Sequence, residues 1–333
     1  MPRRRTTAVG GAATIARHAH RAPPSPVRAL VTGAGGFVGR HLVAHLEAEG
    51  DDVVASDASR GGADITDPDA VRAEMAAAAP DVVYHLAGWA DVGGSWREPA
   101  AAFRANAEGT LNVLLAAADR GVERVVAVSS ADVYGAASPE EMPLTEDSPL
   151  RPASPYAVSK VAADYLGLQA WLGHGLPVLR VRAFNHLGPG QSDRFVASAL
   201  ASRIARAERE GGEVLRVGTL TARRDYTDVR DVVRAYRLLA LQGEPGEAYN
   251  VCSGADHAVQ ELGDALLAQA TVALRFETDP ELLRPVDVPV LRGSHAKLTA
   301  ATGWEPEIPL DRTLADLLAD WRTRVTSGVR PQM

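Results

Sequence analysis

A single cysteine, Cys252, in 333 residues rules out an internal disulfide and a zinc site built on paired cysteines, and it fits a reducing compartment. Long apolar runs are missing too. None approaches the roughly 20 residues a membrane-spanning helix needs, so no membrane partner is expected. The nine histidines show no HExxH or HxxEH spacing and no carboxylates cluster beside them, so no metal is expected. No Gly-Lys-Ser/Thr follows the glycine run, which excludes a mononucleotide P-loop. A net charge of −7 argues against nucleic acid as a partner. Acidic residues are absent before Glu47, while Arg3, Arg4, Arg5, Arg17 and Arg21 stud an Ala- and Pro-rich stretch. Gly10 and Gly11 interrupt the apolar core that an export signal would need, so residues 1–27 read as a disordered basic extension. What is present is ordinary: 46% apolar and 23% charged residues, enough chain for one large or two modest domains. A soluble, cytoplasmic protein is expected.

From residue 28 onward, short β-branched runs alternate with helical patterns. Strands are expected at 28–32, 52–56, 81–86, 123–129 and 177–182, with helices at 37–49, 67–78, 99–120 and 154–171 between them. Apolar strands separated by helices of this length predict an α/β fold, a doubly wound parallel sheet of the Rossmann type. Beyond about residue 181 the pattern loosens into helices at 192–209, 228–241, 260–270 and 310–324. The division expected is a dinucleotide-binding domain at 28–181 and a smaller α+β, mainly substrate-binding portion at 182–326, with some segments returning to the sheet.

Two motifs carry the chemistry. The first, Thr32-Gly33-Ala34-Gly35-Gly36-Phe37-Val38-Gly39, sits between a strand and a helix, the context that gives a glycine fingerprint meaning. Gly33 permits the tight turn, Gly36 lets backbone approach a pyrophosphate, and Gly39 allows the helix to pack on the strand. The helix N-terminus at Phe37 and Val38 then offers N–H groups to the phosphates. Asp57, 24 residues after Gly33, is placed for adenosine ribose hydroxyls and favours NAD, whereas Arg60 would suit the 2′-phosphate of NADP. Asp64 and Ile65, after a small strand, are expected near the adenine. The second motif is Tyr156-Ala157-Val158-Ser159-Lys160. It sets an ammonium one helical turn from a phenol whose ordinary pKa of about 10 is too high for a base at neutral pH. The charge of Lys160 and that of an oxidised nicotinamide are both expected to favour the phenolate, so that Tyr156 exchanges a proton with a carbinol or ketone. Ser130 is placed to hydrogen-bond the same substrate oxygen.

These residues, with His85-Leu86-Ala87-Gly88, Asn106-Ala107-Glu108-Gly109-Thr110-Leu111-Asn112 and Ser129-Ser130-Ala131-Asp132-Val133-Tyr134-Gly135, resemble the extended short-chain dehydrogenase/reductases that act on nucleotide sugars. The resemblance runs over roughly residues 27–324. It implies that Leu86, Ala87 and Gly88 line the cofactor and that Asn106 holds the cofactor or the substrate-side loop. It also implies a homodimer through the helices at 99–120 and 154–171. The stretch 184–191 looks like the nucleotide-sugar loop of GDP-mannose 4,6-dehydratases and of the members reducing GDP-4-keto-6-deoxymannose, while 224–231, 249–254, 283–289 and 302–306 look like the reducing members. By that likeness Asn185, Arg224 and Arg284 hold the sugar diphosphate; His186 is read separately, as a substrate contact or equally as a hydrogen-bonded loop histidine. The implied reaction is NAD(P)-dependent reduction of the 4-keto group of a nucleoside-diphosphate 4-keto-6-deoxyhexose. A 4-epimerase uses the same Ser/Tyr/Lys set and is the alternative. A 4,6-dehydratase is demoted, since Ala131 cannot donate a proton and Asp132 is one methylene shorter than the usual Glu. A non-catalytic NAD-binding protein is demoted because both Tyr156 and Lys160 are present.

Overall fold

The computed structural model describes residues 26–282 and 288–327. All but the last two residues of the expected basic extension, and Arg284, lie outside them.

The chain enters the fold on β1 (Arg28–Thr32), whose residues alternate: Ala29 and Val31 pack on one face of the sheet and Leu30 on the other. Gly33 then turns the backbone at φ +73°, leading into α1 (Phe37–Ala48) and back out on β2 (Asp52–Ser56). Next come α2 (Pro68–Ala78), β3 (Val82–His85), α3 (Val92–Ser95), α4 (Pro99–Phe103), α5 (Gly109–Arg120) and β4 (Arg124–Val128). After an irregular stretch, α6 (Pro155–His174) leads to β5 (Val178–Ala183) and β6 (Asn185–Leu187). The remainder is α7 (Val196–Glu210), β7 (Val214–Val217), β8 (Arg223–Asp228), α8 (Val229–Gln242), β9 (Ala248–Val251), β10 (Asp256–Ala258), α9 (Val259–Leu267), β11 (Arg275–Thr278), β12 (Val290–Leu291), α10 (Ala296–Thr302) and α11 (Leu310–Ser327).

Local chemistry sets the limits of these helices. Asp67 caps α2 by accepting from the Asp69 and Ala70 N–H groups, with Pro68 at the first position. Ser154 accepts from Ala157 N–H at the start of α6, again with proline first, and Gly175 ends it in the left-handed conformation.

Six parallel strands form the main sheet in the order β2-β1-β3-β4-β5-β9, the doubly wound arrangement that the alternating pattern predicts. One face is covered by α1, α8 and α10, through Leu42, Leu46, Val232, Tyr236 and Leu298. The other is covered by α2, α5 and α6, through Val71, Met75, Val113, Leu114 and Ala170. A second core lies where α7, α9 and α11 meet, around Leu200, Ile204, Leu262, Leu266, Leu317 and Trp321. Beside it, β8 is the hub of a second sheet, pairing antiparallel with β10 and parallel with β12 and β6. A buried ion pair locks α6 to β5: the fully enclosed Asp164 carboxylate accepts from Arg180 at 2.7 Å and Arg182 at 3.0 Å.

Two expectations are corrected. The single helix expected over 99–120 is interrupted by a π-helical turn, Arg104–Glu108, between α4 and α5. That widened turn contains Asn106, whose amide is spent on the neighbouring loop rather than pointing along a regular helix face. No strand lies between β2 and Asp64. The Asp57 carboxylate accepts from Ser59 N–H instead, closing a 3₁₀ turn at Ala58–Arg60 directly after β2.

Candidate active site

The glycine turn is packed by backbone on backbone. A Cβ on Gly39 would come within 2.2 Å of the Gly33 carbonyl oxygen, and one on Gly33 within 2.8 Å of Ala87 N. Gly36 begins α1 with no side-chain cap, which leaves the first-turn N–H groups, those of Phe37 and Val38 included, for an anion. Asp57 sits at the end of β2 and accepts from Gly35 N–H at 3.0 Å. Burial pushes its carboxyl up, but hydrogen bonds from Ser59 and Gly35 and the Arg60 charge outweigh this and hold it below the usual range. A cavity of about 340 Å³ opens here, lined by Gly35, Arg40, Asp57, Arg60 and Gly62. The uncapped helix start, the glycines with no room for a Cβ and the carboxylate after β2 together fit a dinucleotide. Leu86 N–H donates to the Thr32 carbonyl at 3.2 Å and Ala87 N–H to the Thr32 hydroxyl at 3.3 Å, tying the 86–88 segment to the turn. Asp64 is exposed and closes a turn on Thr66, while Ile65 is buried against Gly109 and the α2–α5 core.

Asn106 works through the loop. It accepts from Trp89 N–H at 2.8 Å and donates to the Trp89 carbonyl and to Ser159 Oγ. A Cβ on Gly88 would lie 2.5 Å from its Oδ1.

Ser130, Tyr156 and Lys160, the residues expected to carry the proton transfer, come together near the carboxyl end of β4. Ser130 leaves β4 and caps the short 3₁₀ turn Ala131–Tyr134, its Oγ accepting from Asp132 N–H at 3.1 Å. The buried Tyr156 phenol is hydrogen-bonded to the Ser130 side chain. Lys160, one turn on, is pinned by a 3.0 Å bond to the Val128 carbonyl, and burial pulls its ammonium down to about 8. Burial, then the Asp132 carboxylate, push the Tyr156 hydroxyl above its ordinary value, and the Ser130 bond only partly offsets them. Burial likewise raises the Asp132 carboxyl, against the Arg224 charge and the Ser130 bond. Asp132, Ser130, Tyr156 and Arg224 therefore form one electrostatic cluster.

His186 stacks on Phe37 with ring centroids 6.2 Å apart and donates its Nδ1–H to the Phe184 carbonyl at 2.9 Å. Burial keeps it neutral by lowering its pKa. Asn185 is exposed on β6. Arg224 lies on β8 and donates to the Arg223 carbonyl.

Sequence reasoning missed several supports. Ser95, on α3, accepts from Tyr156 N–H at 3.1 Å and so seats the start of α6. His85 is clamped between the hydroxyls of Thr32 at 2.8 Å and Thr110 at 3.0 Å, with burial and the Lys160 charge lowering it to about 3. Only the position of His85 beside Leu86 and Ala87 could have signalled it. Among the described residues, no group of three His, Cys, Asp or Glu is placed to hold a metal ion, and no helix is long and apolar enough to cross a membrane.

Known proteins share this architecture. GDP-6-deoxy-D-mannose reductase of Pseudomonas aeruginosa is 41% identical over 301 residues, 90% of this chain and 98% of that protein. The solved structure of RMD from Pseudomonas aeruginosa with NADPH superposes with a TM-score of 0.82 at 40% identity, covering 89% of this chain and 99% of the other. UDP-glucose 4-epimerase of Thermus thermophilus, solved with NAD, gives 0.80 at 30% identity, over 88% and 98%. The NAD dependent epimerase/dehydratase family matches residues 29–252, which span the glycine turn, Ser130, Tyr156 and Lys160. With that match and relatives aligned almost end to end, the chain belongs to the NAD-dependent epimerase/dehydratase family.

Proposed function

We propose that this protein reduces the 4-keto group of a nucleoside-diphosphate 4-keto-6-deoxyhexose, the GDP-mannose-derived sugar first, with NADH or NADPH. The observation that carries this reading is the Ser130–Tyr156–Lys160 centre facing Asp132 and Arg224, in a chain 41% identical to a GDP-6-deoxy-D-mannose reductase. Gly33, Gly36, Gly39 and the start of α1 would hold the cofactor's pyrophosphate, and Asp57 with Arg60 its adenosine end. When bound, the nicotinamide supplies the hydride that goes to C4.

The residues of the chain do the rest. Ser130 donates a hydrogen bond to the ketone oxygen and fixes its position beside Tyr156. Tyr156 gives its proton to that oxygen as negative charge develops there. A reductase needs the protonated phenol, and the burial and carboxylate that raise Tyr156 keep it protonated. Lys160 supplies a fixed positive charge one turn away. Arg224 and Asn185 are read as diphosphate ligands, the former for its planar fork of donors. Ala131, unable to donate a proton, weighs against elimination of water.

The reading includes a homodimer. Val158, Tyr165 and Leu172 are 46%, 54% and 56% exposed at seven-residue spacing along α6, beside Phe103 on α4 and Leu115 on α5. Such a stripe on adjoining helices suits a second copy of the same chain. It also includes a cytoplasmic location, in keeping with the lone buried thiol, and residues 182–326 as the mainly substrate-binding part.

The test supplies purified protein with the 4-keto-6-deoxy sugar of GDP-mannose, made in situ by a separate dehydratase, and NADH or NADPH in parallel. Stoichiometric cofactor oxidation with a new deoxyhexose peak is the expected result. Absence of cofactor consumption overturns the reductase and turns attention to 4-epimerisation of unreduced GDP- and UDP-sugars.

A further inference from the structure

The cofactor turn and the loop that follows His186 are joined by hydrogen bonds that the reaction itself does not require. Arg40 lies on the first turns of α1. Its guanidinium donates to the Gly35 carbonyl at 3.0 Å and to the Gly190 carbonyl at 3.3 Å, so one planar fork spans the glycine turn and the Gly188-Pro189-Gly190-Gln191 loop. The next residue, His41, donates its Nε2–H to the Pro189 carbonyl at 2.8 Å. From the opposite side α11 grips the same loop: Asp320 accepts from Gly190 N–H at 2.9 Å, and Arg324 donates to the Gln191 carbonyl at 3.1 Å. Gly190 has φ +92°, a conformation that suits glycine and leaves both its N–H and its carbonyl available to these partners. The charged groups facing Arg40 are Arg60, Arg324 and Asp320.

The consequence is thermodynamic. A dinucleotide phosphate bound at the turn fixes Gly35, and through Arg40 it biases where Gly190 sits. A nucleotide sugar bound beside the His186–Gln191 segment biases the same guanidinium from the other end. A contact that differs between the two positions of a loop couples the ligands at both ends, and the coupling is reciprocal. We infer that Arg40 is a positioning residue that makes dinucleotide and nucleoside-diphosphate binding mutually reinforcing. This rests on the nucleotide-sugar reading of the site.

The experiment measures the Kd of GDP, and of UDP in parallel, by calorimetry on the full chain, with and without saturating NADP⁺. It is repeated on Arg40→Met and on Arg60→Met, which removes a cation from the same cofactor cavity on the β2 side. The ratio of the two Kd values is the coupling factor, and it is insensitive to a uniform loss of affinity for either ligand. In the unaltered protein NADP⁺ is expected to tighten the nucleotide about fivefold, the lower end of ordinary coupling. Arg40→Met should bring the factor within about twofold of one, while Arg60→Met should keep it even if NADP⁺ binds less tightly. Full coupling in Arg40→Met, or none in the unaltered protein, overturns the inference and leaves the reductase reading standing. Coupled binding of UDP but not GDP overturns the guanine assignment, and the inference is then decided on UDP. Failure of both nucleotides to bind removes the nucleotide-sugar reading and the inference with it.

Discussion

A tyrosine that must give up a proton is best kept protonated until the moment of transfer, and the surroundings of Tyr156 do this. Burial and Asp132 raise it, while Ser130 orients it. Tyr156→Phe is expected to lower kcat for keto-sugar reduction by about 10²–10⁴-fold, the usual worth of a positioned proton donor. Dinucleotide binding, followed by fluorescence titration, should survive the change. Near-normal turnover in that variant would sink the mechanism. Lys160 gives a second test. Burial lowers its ammonium to about 8, so its charge is present below that pH and lost above it. The kcat/KM for reduction should therefore fall as pH rises through about 8. In Lys160→Arg, whose guanidinium stays charged, the residual activity should show no such limb. An unaltered limb in Lys160→Arg would assign that titration to another group.

The elements place these side chains by contacts that tolerate little change. At Gly39 the nearest atoms to an added methyl are backbone, at 2.2 Å from the Gly33 oxygen and 2.7 Å from Ala34 Cα, so α1 would have to move off the turn. Gly39→Ala should cost about 1–3 kcal/mol in urea denaturation, in the range of overpacked sites. It should also weaken dinucleotide binding more than Gly50→Ala, where no atom lies within 4 Å of the added carbon although φ is +85°. Equal effects from the two would mean that the packing of turn on helix is unimportant. On the other side of the sheet, Asp164 gathers Arg180 and Arg182 with no exposure of its own side chain. Removing that carboxylate strands two guanidiniums in the interior. Asp164→Ala is expected to destabilise by about 3–5 kcal/mol. A loss under about 1 kcal/mol, typical of exposed ion pairs, would show that water reaches the site.

The whole molecule brings a six-stranded sheet, a second core under α11 and an apolar stripe on α6 into one chain. Tyr165→Glu with Leu172→Arg places charges of both signs on that stripe without touching the buried face of α6. Sedimentation equilibrium should show a dimer at micromolar concentration for the unaltered protein and a monomer for the double variant. A monomer in both cases would refute the assembly. Unchanged dimers in the variant would place the interface elsewhere.

Local rules were enough for much of this. The strand–turn–helix around Gly33, Gly36 and Gly39, the capped helix bearing Tyr156 and Lys160, and the order of strands and helices all depend on residues near one another in the chain. Backbone conformation, capping and hydrophobic period therefore made them legible. The π-helical turn at Asn106 was not legible, because it answers to Trp89 and Ser159, partners 17 and 53 residues away. Neither was the direction of the Tyr156 shift. It is set by burial and by Asp132, brought in by the end of β4. The bridge from Arg40 to Gly190 crosses 150 residues of chain. Spacing along a sequence conveys what one element can do alone. Desolvation, and the meeting of charges from different elements, come into being only when the sheet closes and water leaves.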